Sequence, residues 1–214
     1  MKRVVGSVSS FLRRGYALLF AFVFIFYIGL AVLAPRLMIS GHETAGKVIY
    51  KVFHFLCHQY PWRSWFLGGE QAYYPLSFSD CEGMLSIDEA AGMQLAGIDP
   101  RSFYGTPQMG YKMAACQRDI AIYGAMCIFC LVFFLSKNRM HRVDWRLWLL
   151  FGVLPMAFDG LWQLGSQLLS LLPLRESTPF MRTATGALFG FFTCWYLLPT
   201  LEKMLREGAN DACQ

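Results

Sequence analysis

Apolar residues run uninterrupted from Tyr16 to Ala34, and three later stretches approach the same length. At about 1.5 Å per residue, the first run is long enough for the roughly 30 Å of a bilayer core. Spans are predicted over residues 16–34, 113–135, 145–169 and 180–198, the second as an apolar run from Ile120 that continues a helix begun near Met113. The first run exceeds the apolar core of a cleaved signal peptide, and Pro35 follows its only Ala-ending cleavage site, so it is read as a retained anchor. Val48–Leu56 carries apolar residues at helical spacing with Lys51 among them and Lys47 just before. That predicts a helix lying on the membrane surface or packed on the bundle. Residues 68–112 are richer in Gly, Pro, Ser and acid, with a short helix at Ile87–Leu95, and predict an extracytoplasmic insertion. The expected fold is all-α: one polytopic membrane domain over residues 1–214, with four transmembrane helices and a long loop between the first two.

Polar positions interrupt the third span with a helical period. Pro155, Asp159, Gln163 and Gln167 recur every fourth residue, which lines them along one side of a helix. A carboxylate within a membrane helix is costly and normally faces protein, a cation or water. Asp159 lies fourteen residues past Trp145, or about 21 Å along the helix. Cys116, Arg118 and Asp119 at the start of the second span, and Arg182 at the start of the fourth, are expected at that level. Arg118 or Arg182 is the expected partner of Asp159, either as a structural ion pair or as part of a ligand site.

Charge sets the expected orientation. Of the 19 Lys and Arg, ten flank the spans on three segments: Lys2, Arg3, Arg13 and Arg14; Lys137, Arg139, Arg142 and Arg146; Lys203 and Arg206. The short outer loop Pro173–Pro179 holds only Arg175. Both termini are therefore expected in the cytoplasm. With 56% hydrophobic and 15% charged residues the chain is a membrane protein, and its +5 formal charge reads as topology rather than as a nucleic-acid surface.

Seven cysteines do not form the pattern of a disulfide scaffold. Cys116, Asp119 and Tyr123 share a helix face, and Cys57 and His58 enter from the preceding loop on the same side. Cys, His and Asp are ligands that zinc takes, although this spacing matches no known zinc finger. A Cys57–Cys116 disulfide and two unpaired thiols are the other readings. Cys127-Ile128-Phe129-Cys130 sits mid-helix, where the thiols pack as small apolar groups. Gly186 and Gly190 form a G-x-x-x-G, expected to bring two helices close.

Four motifs in order carry a resemblance: Cys57-His58-Gln59 with Pro61, Arg63 and Ser64; Cys116 with Arg118-Asp119 and Tyr123-Gly124; Pro155 with Asp159-Gly160 and Gln163; and Leu174-Arg175-Glu176-Ser177-Thr178 with Arg182 and Thr185-Gly186. Together, over about residues 53–190 apart from 70–111, they resemble the prokaryotic membrane proteins of domain of unknown function 2085. The resemblance implies a multi-pass membrane protein and singles out these polar residues, with no established reaction. Many relatives have Cys-x-Arg-Cys where this chain has Cys116-Gln117-Arg118-Asp119, which weakens a dithiol mechanism but keeps a ligating group.

The functional expectation is a polar site at the outer membrane interface. Cys57, His58, Cys116 and Asp119 are expected to hold a divalent metal such as zinc. Gln59, Arg63, Arg118, Asp159, Gln163, Arg175 and Arg182 are expected to receive an anionic or lipid-linked ligand, since guanidinium pairs bidentately with phosphate and carboxylate. Two other classes stay open: a membrane thiol–quinone oxidoreductase, and a non-enzymatic transporter subunit or assembly factor that binds a protein partner.

Overall fold

A computed structural model describes residues 2–77, 83–92, 97–168 and 176–211, with backbone only for 2–14, 164, 166–168 and 209–211. Cys81, Arg175 and the end of the predicted 87–95 helix lie outside the described residues. The chain runs α1 (Lys2–Ile39), α2 (Glu43–His54), β1 (Ser64–Leu67), α3 (Ile87–Ala91), β2 (Gly105–Thr106), β3 (Gly110–Cys116), α4 (Gln117–Leu135), α5 (Trp145–Leu147), α6 (Leu154–Leu168) and α7 (Pro179–Asp211).

Among the described residues, three helices are long and apolar enough to cross a membrane: Gly15–Ile39, Gln117–Leu135 and Pro179–Gly208. The first continues through Pro35, which the sequence reading placed beyond its end. Proline removes one helical donor and bends the rod, but packing on both sides can hold the helix together. Ala31, Ala34 and Met38 on this segment are buried against Tyr50 and Phe53 of α2 and Ala114 and Ala115 of β3.

The expected third span is a helical rod from Trp145 to Leu168, but it is not among those three helices. A π-helical turn at Trp148–Val153 divides it into α5 and α6. Pro155 stands just beyond that turn, where its ring would crowd the carbonyl of residue 151 in a regular helix. The wider turn relieves this crowding.

Small residues set the core. α4 and α7 run parallel and almost touch along their backbones. A β-carbon on Gly186 would stand 2.8 Å from the Arg118 carbonyl oxygen, and one on Gly190 only 2.3 Å from that of Ile122. The G-x-x-x-G is thus a helix contact inside this bundle. α1 packs against α4 in the opposite sense: Tyr27 meets Tyr123 with ring centroids 4.3 Å apart, and the Cys127 thiol donates to the Ala21 carbonyl at 3.6 Å. Cys127, Cys130 and Cys194 are buried in this core with Phe129 and Phe133.

The segment between α2 and α4 adds β structure that the all-α expectation did not include. β1, β3 and β2 form an antiparallel sheet in that order, with Ser64 opposite Cys116 and Phe66 opposite Lys112. Phe66, Tyr74, Ile87, Ala91, Phe103 and Met109 form a cluster of their own. Glu89 and Ser86 make a reciprocal capping box that starts α3. Gly110, at φ +81°, allows β3 to begin where a β-carbon would lie 2.5 Å from the Leu67 carbonyl oxygen. The sheet also corrects the expected helix start near Met113. Residues 113–116 belong to β3, with Cys116 paired to Ser64 of β1, and α4 begins only at Gln117.

Candidate functional site

The Cys57 loop is fixed from behind by buried polar contacts. Gln59 adopts a left-handed backbone at φ 53°. Its amide nitrogen donates to the carbonyls of Tyr50 and Ala114, both at 3.0 Å. The Lys112 ammonium, fully buried, donates to the carbonyls of Gln59 at 2.5 Å and Arg101 at 3.0 Å. Burial pulls its pKa down to about 7. Arg101 in turn donates to the carbonyls of His58 and His54, each at 3.1 Å. These contacts fix the loop's path and turn Cys57 toward the end of β3.

Cys116 is the last residue of β3 and the N-cap of α4. Its sulfur accepts from the Asp119 backbone N–H at 3.4 Å. The Cys57 sulfur lies within 4.8 Å of it. The neighbouring Cys116 thiol and burial push the Cys57 pKa up, while the interaction with Cys57 holds Cys116 below the usual thiol value. The ligand atoms of Cys57, Cys116 and Asp119 all lie within 4.8 Å of one another, close enough to share one ion. His58 lies outside this trio. It borders the same cavity, with its ring stacked on that of Tyr60 at 6.1 Å between centroids.

The cavity beside the trio has a volume of about 230 Å³, and Arg63, Arg118, Arg182 and Gln163 form much of its wall. Each arginine is held by a carboxylate. Arg118 on α4 donates to Asp159 on α6, which also accepts from the Ser177 hydroxyl at 2.7 Å. Arg63 forks onto Glu176 at 2.8 and 3.3 Å. Arg182 pairs with the same Glu176, and its other terminal nitrogen donates to the Trp62 carbonyl at 3.0 Å and the Gln117 side chain at 3.1 Å. Asp159, Glu176 and Arg182 are all buried. The Nε–H groups of Arg118 and Arg182 are buried without an acceptor among the described residues.

The structure thus brings together Cys57, His58, Gln59, Arg63, Cys116, Arg118, Asp119, Gln163 and Arg182 around one cavity, with Asp159 directly behind Arg118. Of the two candidate partners for Asp159, it is Arg118 that pairs. Arg175 lies outside the described residues, as does the side chain of Gln167. Two residues of the site, Glu176 and Ser177, stood in the fourth motif but were given no role in advance. Their signal was available: an acid and a hydroxyl immediately before the helix that carries Arg182, in a stretch with no other carboxylate for it.

Residues 99–196 match the family described as predicted membrane proteins of domain of unknown function 2085. The resemblance read from the motifs is borne out over those residues, which include Cys116, Asp159 and Arg182 but not Cys57–Ser64. An uncharacterised protein of Methanocaldococcus jannaschii is 24% identical over 200 residues, spanning 91% of this chain and 97% of its own. No solved structure matches.

Proposed function

We propose that this multi-pass membrane protein binds a divalent metal ion through Cys57, Cys116 and Asp119, and that the arginine wall receives an anionic, membrane-resident ligand beside it. The observation that carries this reading is the three-ligand cluster opening onto a cavity walled by Arg63, Arg118 and Arg182. Two thiols and a carboxylate suit zinc, and three protein ligands leave a coordination position for an exogenous oxygen. The buried Nε–H groups of Arg118 and Arg182 are donors that such an oxyanion can satisfy. His58, at the rim, is placed to contact the ligand rather than the ion.

The charge pattern supports four crossings with both termini cytoplasmic and the cavity at the outer face. The rod from Trp145 to Leu168 is then the third crossing, and Asp159 is a membrane-level carboxylate neutralised by Arg118.

Metal content of the purified full chain tests the reading. The wild type is expected to hold close to one zinc equivalent, Cys57→Ser and Asp119→Asn much less, and Ser9→Ala the full amount. Metal-free wild type from mild purification, folded by thermal denaturation, would overturn it.

One observation favours a second reading, the approach of the Cys57 and Cys116 sulfurs to within 4.8 Å of each other. Two thiols that close can form a disulfide, giving two electrons and two protons to a membrane quinone, which becomes the hydroquinone. Alkylation before and after reduction separates the two readings. Thiols that are free in native membranes and protected from alkylation by zinc support the metal site, and a reducible disulfide supports the redox couple.

A further inference from the structure

The far end of α4, one helix length from the cysteine cavity, carries a second cavity of about 860 Å³ between the α4–α5 connection and α7. Its walls combine two chemistries. Phe134 and Leu135 supply an apolar side, and Leu135 is 77% exposed. Lys137, Arg139 and Arg206 supply cations. Arg206 is already committed, donating to Glu202 at 2.8 Å, and Glu202 is further held by the Tyr16 hydroxyl at 3.1 Å and the Asn138 amide at 3.3 Å. Lys137 and Arg139 make no ion pair among the described residues, and both are exposed at the cavity mouth.

The backbone at Lys137 is the second observation. α4 ends in two reverse hydrogen bonds, Asn138 N–H to the Phe133 carbonyl at 3.0 Å and Lys137 N–H to the Phe134 carbonyl at 2.9 Å. This is the helix stop whose first residue past the cap is ordinarily glycine, because that residue must be left-handed. Here it is a lysine at φ 57°. A lysine at this position sets its β-carbon against the backbone, which glycine avoids. Strain of this kind is tolerated where the side chain has a task. The fold could stop here more easily with no side chain at all, so the task lies in the charge. Further along the same connection, the Arg142 guanidinium lies 5.2 Å from the Tyr196 ring centre, and the Trp195 indole donates to the His141 carbonyl at 3.0 Å, aromatic residues of the kind found at membrane interfaces.

We infer that this cavity binds the head group of an anionic phospholipid, with the phosphate between Lys137 and Arg139 and the acyl chains along Phe134 and Leu135. A cation pair above an exposed apolar wall fits a glycerophospholipid better than a free anion, which has no use for the apolar side. The inference is independent of the cysteine site.

The test compares retention of phosphatidylglycerol and phosphatidylcholine by the full chain during stepwise delipidation in detergent. Lys137→Gly is the decisive variant, because it removes the charge while easing the backbone; it is expected to keep or raise thermal stability. Its phosphatidylglycerol retention should fall about fivefold, Arg139→Gln similarly, with phosphatidylcholine unaffected. Retention should also weaken as salt rises. Unchanged phosphatidylglycerol retention in the folded double variant would overturn the inference. So would displacement of the lipid by millimolar inorganic phosphate, which would mark a soluble-anion site, or equal retention of both lipids by the wild type.

Discussion

Arg118 and Asp159 join the first turn of α4 to the middle of α6, and the Ser177 hydroxyl completes the pair from the start of the α7 segment. One carboxylate therefore ties together three parts of the chain that are distant in sequence. The side chain of Asp159 is only 7% exposed and that of Arg118 is 22% exposed, so the charges are sheltered from water but not sealed. Removing one partner from such a pair leaves the other charge buried and uncompensated, at about 3 kcal/mol or more. Asp159→Asn is expected to lower the thermal midpoint strongly, and Arg118→Gln nearly as much. The double variant should lose less than the sum of the two, because neither charge is then left behind. Thermal denaturation in detergent, run as a double-mutant cycle, measures this; simple additivity would mean the pair is not coupled.

Glu176 serves two arginines, both of which donate to its Oε1, so its replacement should act differently. Glu176→Gln leaves Arg63, which is partly exposed, free to turn to solvent, but strands Arg182. The expected loss is about 3 kcal/mol, most of it recovered by adding Arg182→Met, which replaces the stranded charge with an apolar chain. Chemical denaturation of the two variants decides it. A double variant no more stable than Glu176→Gln would place the cost elsewhere than in Arg182.

At the α4–α7 seam the sign of a glycine substitution depends on what faces it. A β-carbon at Gly190 would fall 2.3 Å from a backbone oxygen, which cannot swing aside, so the helices must part. Gly190→Ala is expected to cost about 1–3 kcal/mol. Gly29 in α1 meets nothing within 4 Å, and Gly29→Ala should be neutral or stabilising by up to about 1 kcal/mol. Opposite shifts of the two thermal midpoints are the expected result, and equal shifts would deny the close seam.

The helices and the meeting of polar groups were legible because both follow from period and length. Asp159 and Gln163 recur at helical spacing, and a rise of 1.5 Å per residue puts them level with Arg118 and Arg182. The sheet was not legible. Ser64–Leu67 and Gly110–Cys116 are short, lie 52 residues apart at the Ser64–Cys116 pair and 44 at the Leu67–Tyr111 pair, and do not alternate cleanly, since Met113, Ala114 and Ala115 are buried in succession. Buried on both faces, that run reads equally well as the first turn of an apolar helix. Glu176 stood in a motif, but its role was not legible for another reason. Its role depends on Arg63 reaching across from the Cys57 loop, a contact between residues 113 positions apart that no local pattern encodes.

Lys112 gives the protein a pH dependence of definite sign. It is fully buried, it donates to the carbonyls of Gln59 and Arg101, and burial lowers its pKa from 10.5 to about 7. Between about pH 7 and pH 10.5 the folded chain holds Lys112 neutral while the unfolded chain keeps it protonated. The unfolded state then binds more protons, so stability rises with pH across that window; below about pH 7 both states are protonated and the full penalty of the buried charge is present. Thiols of the unfolded chain also ionise in this range, so the comparison is with Lys112→Met, which keeps the apolar stem and removes the proton. Denaturation midpoints from pH 6 to pH 10 should climb more steeply for the wild type than for Lys112→Met. The variant should also loosen the Cys57 loop, since Gln59 loses its buried donor, and faster alkylation of Cys57 would report it. Parallel pH profiles for the two proteins would show that Lys112 is charged in the folded state throughout, and that the carbonyls of Gln59 and Arg101 compensate its burial.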